Sequence, residues 1–216
     1  LVGSRAASPS TVRTAAFGSF GVAALAGLVL VAISGQWWMV LVGALCIVGA
    51  WYYTGGSRPY GYAGLGEVAV FVFFGPVAVL GTSLTQGGSI GTGAVIGALG
   101  AGMMTCSVLV ANNLRDIPTD RVAGKRTLAV LLGDRGTRLL YLALVVLPFL
   151  LTVAAAFDRP VLLCALLAAP LAIRPLRVLL GGADGMALIP VLRDTGFLLL
   201  GWALATGVGL ALGGPY

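Results

Sequence analysis

The 216-residue chain contains no histidine, which excludes His-zinc sites, haem ligation by imidazole and Ser-His-Asp hydrolysis. Charge is scarce too: 9% of residues are Asp, Glu, Lys or Arg, against roughly 25% in soluble domains. Any bound metal must therefore be held by oxygen or, failing that, by sulfur. Sulfur is a poor candidate, because Cys46, Cys106 and Cys164 lie singly within apolar runs where a thiol behaves as a small hydrophobe. No disulfide and no metal cluster is expected from them. Residues 1–9 carry no signal-peptide pattern. What is present is apolar: hydrophobic residues make up 59% of the chain and the mean hydropathy is +1.03, the composition of a polytopic membrane protein. Lys125 is the single lysine beside twelve arginines, and with abundant alanine and glycine this bias suggests a GC-rich bacterial coding sequence.

About 20 apolar residues cross the hydrocarbon of a bilayer. Five segments meet that need directly: Thr11–Ile33, Trp37–Thr54, Val68–Leu84, Gly93–Ala111 and Leu139–Phe157. Val161–Ile173 spans only by continuing toward Leu180 with Arg174 and Arg177 snorkelling to the interface. Thr195–Leu212, after a short amphipathic stretch Met186–Leu192, completes seven. Cationic residues test this count, since they gather in cytoplasmic loops. Alternate loops hold Arg5 and Arg13, Arg58, then Arg115, Arg121, Lys125, Arg126, Arg135 and Arg138, then Arg174, Arg177 and Arg193; the opposite set holds only Arg159. The split places the N-terminus and the 112–127 stretch in the cytoplasm and the C-terminus outside. Small residues at Gly93, Gly97 and Ala101, and at Gly209 and Gly213, have the spacing of close helix packing. Trp37, Trp38, Trp51, Tyr52 and Tyr53 flank the second span as interfacial anchors.

Two polar stretches on the cytoplasmic side could carry chemistry. The first is NNLRDIPTDRVAGKRT, Asn112 to Thr127. Asn112, Asp116 and Asp120 recur every four residues, so a helix stacks three oxygen-bearing side chains on one face, although Pro118 should kink or restart that helix. Carboxylates at i and i+4 repel, and with no imidazole available a hard cation such as Mg²⁺ suits the gap, since it shares oxygen ligands with phosphates. Arg115, Arg121, Lys125 and Arg126 then form a positive rim for a diphosphate. The competing reading is an ordinary positive-inside loop whose aspartates pair with neighbouring arginines. The second stretch is YYTGGSRPYGYAGLGE, Tyr52 to Glu67. It reads either as a Gly/Pro turn with Glu67 near the positive end of the next helix, or as a loop that receives a flat or anionic ligand. In the latter, Arg58 is an anion contact and Tyr53, Tyr60 and Tyr62 are aromatic walls. Asp134, Asp158 and Asp184 look like solvated loop residues; Arg193 and Asp194 are weaker candidates for the same cavity.

Taken together, NNLRDIPTDRVAGKRTLAVLLG and YTGGSRPYGYAGLGEVAVFVFFG resemble the signature loops of the UbiA superfamily of intramembrane prenyltransferases, most of all its 1,4-dihydroxy-2-naphthoate polyprenyltransferase branch. The ending LRDTGFLLLGWALATGVGL is similar to that branch as well, so the resemblance covers nearly the whole chain. It implies an all-α, polytopic bundle of nine transmembrane helices around a lateral, lipid-open cavity in the bacterial inner membrane. Two aspartate-rich motifs on cytoplasmic loops bind Mg²⁺ and a polyprenyl diphosphate. Asp116 and Asp120, with Asn112 one turn before, match the second motif as metal-binding and catalytic residues, and Lys125 and Arg126 match its basic continuation. The first motif, of the type N-D-x-x-D, has no counterpart: only LVGSRAASPSTVR precedes the first span. The expectation is a single transmembrane domain over residues 1–216, N-terminally truncated, with its seven helices corresponding to helices 3 to 9 and with little activity alone.

The chemistry implied for the intact enzyme is electrophilic alkylation of 1,4-dihydroxy-2-naphthoate with loss of its carboxylate. Mg²⁺ neutralises the leaving diphosphate, and apolar helices shelter the polyprenyl tail and the allylic cation from water. The base that deprotonates the acceptor is not readable. The partners are the polyprenyl diphosphate, the naphthoate and the bilayer, with no nucleic acid. Alternatives are another acceptor such as 4-hydroxybenzoate, a transporter, or an assembly subunit without chemistry. Transporters place ionisable groups near mid-membrane, whereas every charge here falls at a span end or in a loop.

Overall fold

A computed structural model describes residues 6–213, and every regular element among them is helical. There are seven: α1 Pro9–Ser34, α2 Met39–Thr54, α3 Gly66–Gly87, α4 Thr92–Val122, α5 Leu128–Ala155, which is kinked at Gly133 (φ 70), α6 Pro160–Leu180 and α7 Gly185–Leu212. Six are long and apolar enough to cross a membrane; α2 is a shorter apolar helix of 16 residues. The chain is thus a multi-pass helical bundle, with the seven segments in the expected order. Arg5 and the expectation attached to Leu1 lie outside the described residues.

Local chemistry sets several boundaries. Ser8 caps α1 by accepting the Thr11 N–H at 3.1 Å, with Pro9 in the first turn, where its missing N–H costs nothing. Gly35, at φ 70, closes that helix by donating to Val31 O. α6 reaches Leu180 as the snorkelling argument required, and α7 absorbs the amphipathic stretch into one element starting at Gly185. Within α3 the segment Phe73–Leu80 widens into π-helix around Pro76. There Gly75 lies against α4 so closely that a Cβ would fall 2.5 Å from Ala98 O.

The core lies among α4, α5, α6 and α7 and is built on Met104, Val110, Tyr141, Val145, Leu179, Leu198 and Trp202. Lipid is as apolar as leucine, so close fit and buried hydrogen bonds, rather than the hydrophobic effect, hold such helices together. The Trp202 ring fills the space left by Gly100, where a Cβ would come within 2.0 Å of it, and its indole N–H donates to Thr152 Oγ1 at 3.3 Å. Tyr141 and Thr195 share a buried hydroxyl pair at 2.6 Å. At Gly209 an added Cβ would meet Val161 O at 2.7 Å, so α6 and α7 touch backbone to backbone as the small-residue spacing implied. Trp37, Trp38, Trp51 and Tyr52 are exposed at the two ends of α2, as anchors should be, whereas Tyr53 is half-buried.

Helix α4 positions the site. Its 31 residues rise about 46 Å, well beyond the roughly 30 Å of a hydrocarbon core. The helix runs through Pro118 to Val122 without restarting, although the proline lacks the N–H that would bond the carbonyl of Leu114 and its ring crowds that carbonyl.

Candidate functional site

The C-terminal turns of α4 carry Asn112, Asp116 and Asp120 along one side of a continuous helix. Arg115 closes on Asp116 with both edges of its guanidinium: Nε donates to Oδ1 at 2.7 Å and Nη2 to Oδ2 at 2.8 Å. The same Nη2 donates to Asn112 Oδ1 at 2.8 Å, and Asn112 Nδ2 lies 3.4 Å from Asp116 Oδ2. Asp120 has a different cation. α4 ends in a turn through Gly124, at φ 70, which brings Lys125 back so that its N–H donates to Asp120 O and its Nζ reaches Asp120 Oδ1, both at 2.9 Å. Asp120 is nearly buried, its side chain 7% exposed, while that of Lys125 is 35% exposed. Hydrogen bonding to Asp120 raises the Lys125 ammonium pKa, against a smaller opposing effect of burial. Each aspartate is therefore paired with a neighbouring cation, as the competing reading of this stretch supposed.

The second polar stretch docks on this end of α4. Tyr60–Tyr62 form a single 3-10 turn whose close approach depends on Gly61, where a Cβ would lie 2.6 Å from Tyr53 O. Arg126 N–H donates to Tyr62 O at 2.9 Å, and Lys125 Nζ stands 4.8 Å from the centre of the Tyr62 ring, within cation–π range. Tyr62, Lys125, Arg126 and Asp120 thus form one cluster. The Tyr60 hydroxyl donates to Gly49 O at 2.6 Å, its pKa raised by burial, and its ring meets Tyr53 edge-on at 5.6 Å. Tyr53 and Tyr60 line an apolar cavity of about 460 Å³ with Ala50, Val70, Phe73 and Phe74. Arg58 is exposed on the loop.

Glu67 lies in the first turn of α3, near its positive end as expected, but makes no cap hydrogen bond there; its carboxylate accepts from Asn113 Nδ2 of α4 at 2.9 Å. This link between the two stretches joins residues 46 apart in sequence and had no local signal beyond the polarity of both. Asp194 does not join the α4 cluster. It binds Arg174 of α6 at 3.0 Å and Arg193 at 2.8 Å, making a separate charged group between α6 and α7. Asp134, expected in solvent, is exposed, and it stands on α5 in an i,i+4 pair with Arg138 at 2.7 Å.

Among the described residues no three His, Cys, Asp or Glu side chains converge as a metal cage. The available donors are two carboxylates and an amide oxygen, all hard and on one helix side. This is too few for a self-sufficient cage but fits a magnesium ion that takes its remaining ligands from water and substrate phosphate. The oxygens that such an ion would use are those now held by Arg115 and Lys125.

Residues 1–185 match the UbiA prenyltransferase family. The 1,4-dihydroxy-2-naphthoate octaprenyltransferase of Mycobacterium tuberculosis (strain ATCC 25618 / H37Rv) is 55% identical over 99% of this chain and 73% of its own length. Its namesake from Mycobacterium leprae (strain TN) is 51% identical over 99% of this chain and 72% of its own. That of Escherichia coli (strain K12) is 36% identical over 87% and 64% respectively. With the family match covering most of its length and the two polar loops meeting at the end of α4, the chain belongs to the UbiA prenyltransferase family.

Proposed function

We propose that this protein transfers a polyprenyl group from an allylic polyprenyl diphosphate to 1,4-dihydroxy-2-naphthoate, with loss of the carboxylate, as the prenylation step of menaquinone synthesis. The observation that carries this reading is the junction of the two loops. An aspartate pair at the end of α4 and an aromatic, glycine-rich loop meet through Lys125 and Tyr62, so an anionic leaving group and a flat ring can be held side by side. The reading also draws on the names of the similar mycobacterial and Escherichia coli proteins.

Asn112, Asp116 and Asp120 are the residues that would hold magnesium, which when bound supplies neutralisation of the charge building on the departing diphosphate. Arg115 and Lys125, now on the carboxylates, turn toward phosphate oxygens as substrate arrives, joined by Arg126 and by Arg58 from the loop. Tyr62 and Tyr53 flank the acceptor ring. The apolar cavity beside Tyr53 receives isoprenoid carbons, and the surrounding helices keep water from the allylic cation. The aspartate end of α4 faces the cytoplasm of a bacterial inner membrane, the side to which the cationic loops assign it.

The test uses protein from the complete coding sequence, reconstituted in liposomes with a polyprenyl diphosphate. Product is expected from dihydroxynaphthoate, lost on chelation and restored by Mg²⁺. Asp116→Ala should lower the rate by at least about 100-fold, the order of a lost electrostatic contribution to the transition state. Product from 4-hydroxybenzoate alone would overturn the acceptor, and an unaltered rate in Asp116→Ala would overturn the role of the aspartates.

A further inference from the structure

Glu67, the single glutamate of the chain, has a place in the structure that the steps above do not use. It is 7% exposed. The less exposed aspartates each carry a cation: Asp116 has Arg115, Asp120 has Lys125, and Asp194 has Arg174 and Arg193. Among the described residues Glu67 has none. Its Oε1 accepts from Asn113 Nδ2, while Oε2 is fully buried without any hydrogen-bond partner, a condition shared only with Thr206 Oγ1 among the described side chains. An unmet carboxylate oxygen is costly, and such atoms mark places where a ligand or water completes the structure.

Its surroundings narrow what that ligand is. From α2 the Tyr53 hydroxyl approaches the start of α3, 3.4 Å from where a Gly66 Cβ would be, and from α4 the Cys106 thiol donates to Glu67 O at 3.0 Å. None of these side chains is cationic, and the first turn of α3 supplies only the partial charge of a helix N-terminus, so a neutral hydroxyl donating to Oε2 would meet no competing cation. Glu67 stands between Tyr53 of α2 and α4, bonded to Asn113, the residue next to Asn112.

We infer that Glu67 is the catalytic proton acceptor for a ring hydroxyl of the aromatic substrate; this rests on the prenyl-transfer reading given above. The phenolic O–H donates to Oε2 and its proton passes to the carboxylate. The ring carbon bearing the carboxylate attacks the allylic carbon, forming the C–C bond as the C–O bond to diphosphate breaks and its electron pair departs with the diphosphate. The alkylated ring is then a β-keto acid. It releases CO2, the bonding pair returns through the ring to oxygen, and protonated Glu67 gives the proton back. No oxidant and no external base is required.

The experiment compares wild type, Glu67→Gln and Glu67→Asp in full-length protein in nanodiscs, with kcat and KM for each substrate measured across pH. Glutamine is isosteric and still accepts from Asn113, so the fold is retained. Glu67→Gln should lower kcat by about 100-fold, the usual scale of general-base loss, with KM for the prenyl diphosphate unchanged. Wild-type kcat should fall toward acid pH, Glu67→Gln should lack that limb, and Glu67→Asp should recover much of the rate. A Glu67→Gln rate near that of wild type, an unaltered acid limb, or a loss confined to prenyl-diphosphate KM would overturn the assignment, the last pointing to a clamp on Asn113. Wild type inactive on dihydroxynaphthoate but active on another phenol would refute the acceptor alone, and the same comparison on that phenol still decides the role of Glu67.

Discussion

Replacing Lys125 by methionine separates what the ammonium does for the fold from what it does for substrate. Its Nζ lies 2.9 Å from a carboxylate whose side chain is only 7% exposed. Hydrogen bonds to charged groups contribute about 1.5–3 kcal/mol, and solvent screening at a lysine about one-third open lowers this to about 1–2 kcal/mol. For a chain of this size the corresponding fall in Tm is roughly 4 °C. The pH dependence has a definite sign. Because pairing with Asp120 raises the Lys125 pKa in the folded state, the stabilisation is whole below the ordinary value of 10.5 and is lost as pH rises through the higher folded value. Thermal unfolding of detergent-solubilised protein should therefore show Lys125→Met melting lower at pH 7, with the gap closing at strongly alkaline pH. Adding Asp120→Asn to Lys125→Met should recover part of the loss, since the amide no longer leaves a bare charge in a buried place. Equal melting of Lys125→Met and wild type at pH 7 would show that the ion pair contributes nothing and refute the reasoning.

Two further outcomes test the packing. Gly100→Ala should destabilise the bundle by about 1–3 kcal/mol, because its Cβ would lie 2.0 Å from the Trp202 ring, a side chain 1% exposed with little room to move; a melting curve matching wild type would refute the contact. Tyr141→Phe should cost about 1 kcal/mol by leaving Thr195 without its 2.6 Å partner, measured by the same unfolding assay, and the effect should vanish in a Thr195→Val background.

All seven helices were legible as apolar runs, although α2 is shorter than a full crossing and α6 reaches that length only by continuing past Arg174 and Arg177. Helix ends were not. Asn112 to Val122 is polar, so an apolarity criterion ended the fourth span at Ala111, yet nothing there stops a helix until the turn at Gly124. Pro118 suggests a kink or restart for a different reason, its missing N–H and crowded ring, yet the helix continues through it to Val122. Within the candidate site, the recurrence of Asn112, Asp116 and Asp120 was visible because helical periodicity is local. The partners were harder. Side chains at i and i+1 do not normally face each other, but the length of arginine lets Arg115 fold back on Asp116. The Asn113–Glu67 bond depends on how α3 packs against α4, which no local pattern encodes.

The length of α4 has a consequence for where reaction takes place. About 19 residues from Gly93 suffice to cross the hydrocarbon, so a bilayer fitted to that run would end at Asn112, with Asp116 and Asp120 beyond it. On the proposed function the helix works as a ruler: it would deliver the aspartates to the depth at which a water-borne diphosphate and an oil-borne tail can belong to the same molecule. A ruler of this kind tolerates exchange of residues along its shaft but not a change in their number. One residue added before Asn112 would lift the aspartates by about 1.5 Å and turn them by about 100°, carrying them away from the loop that completes their site.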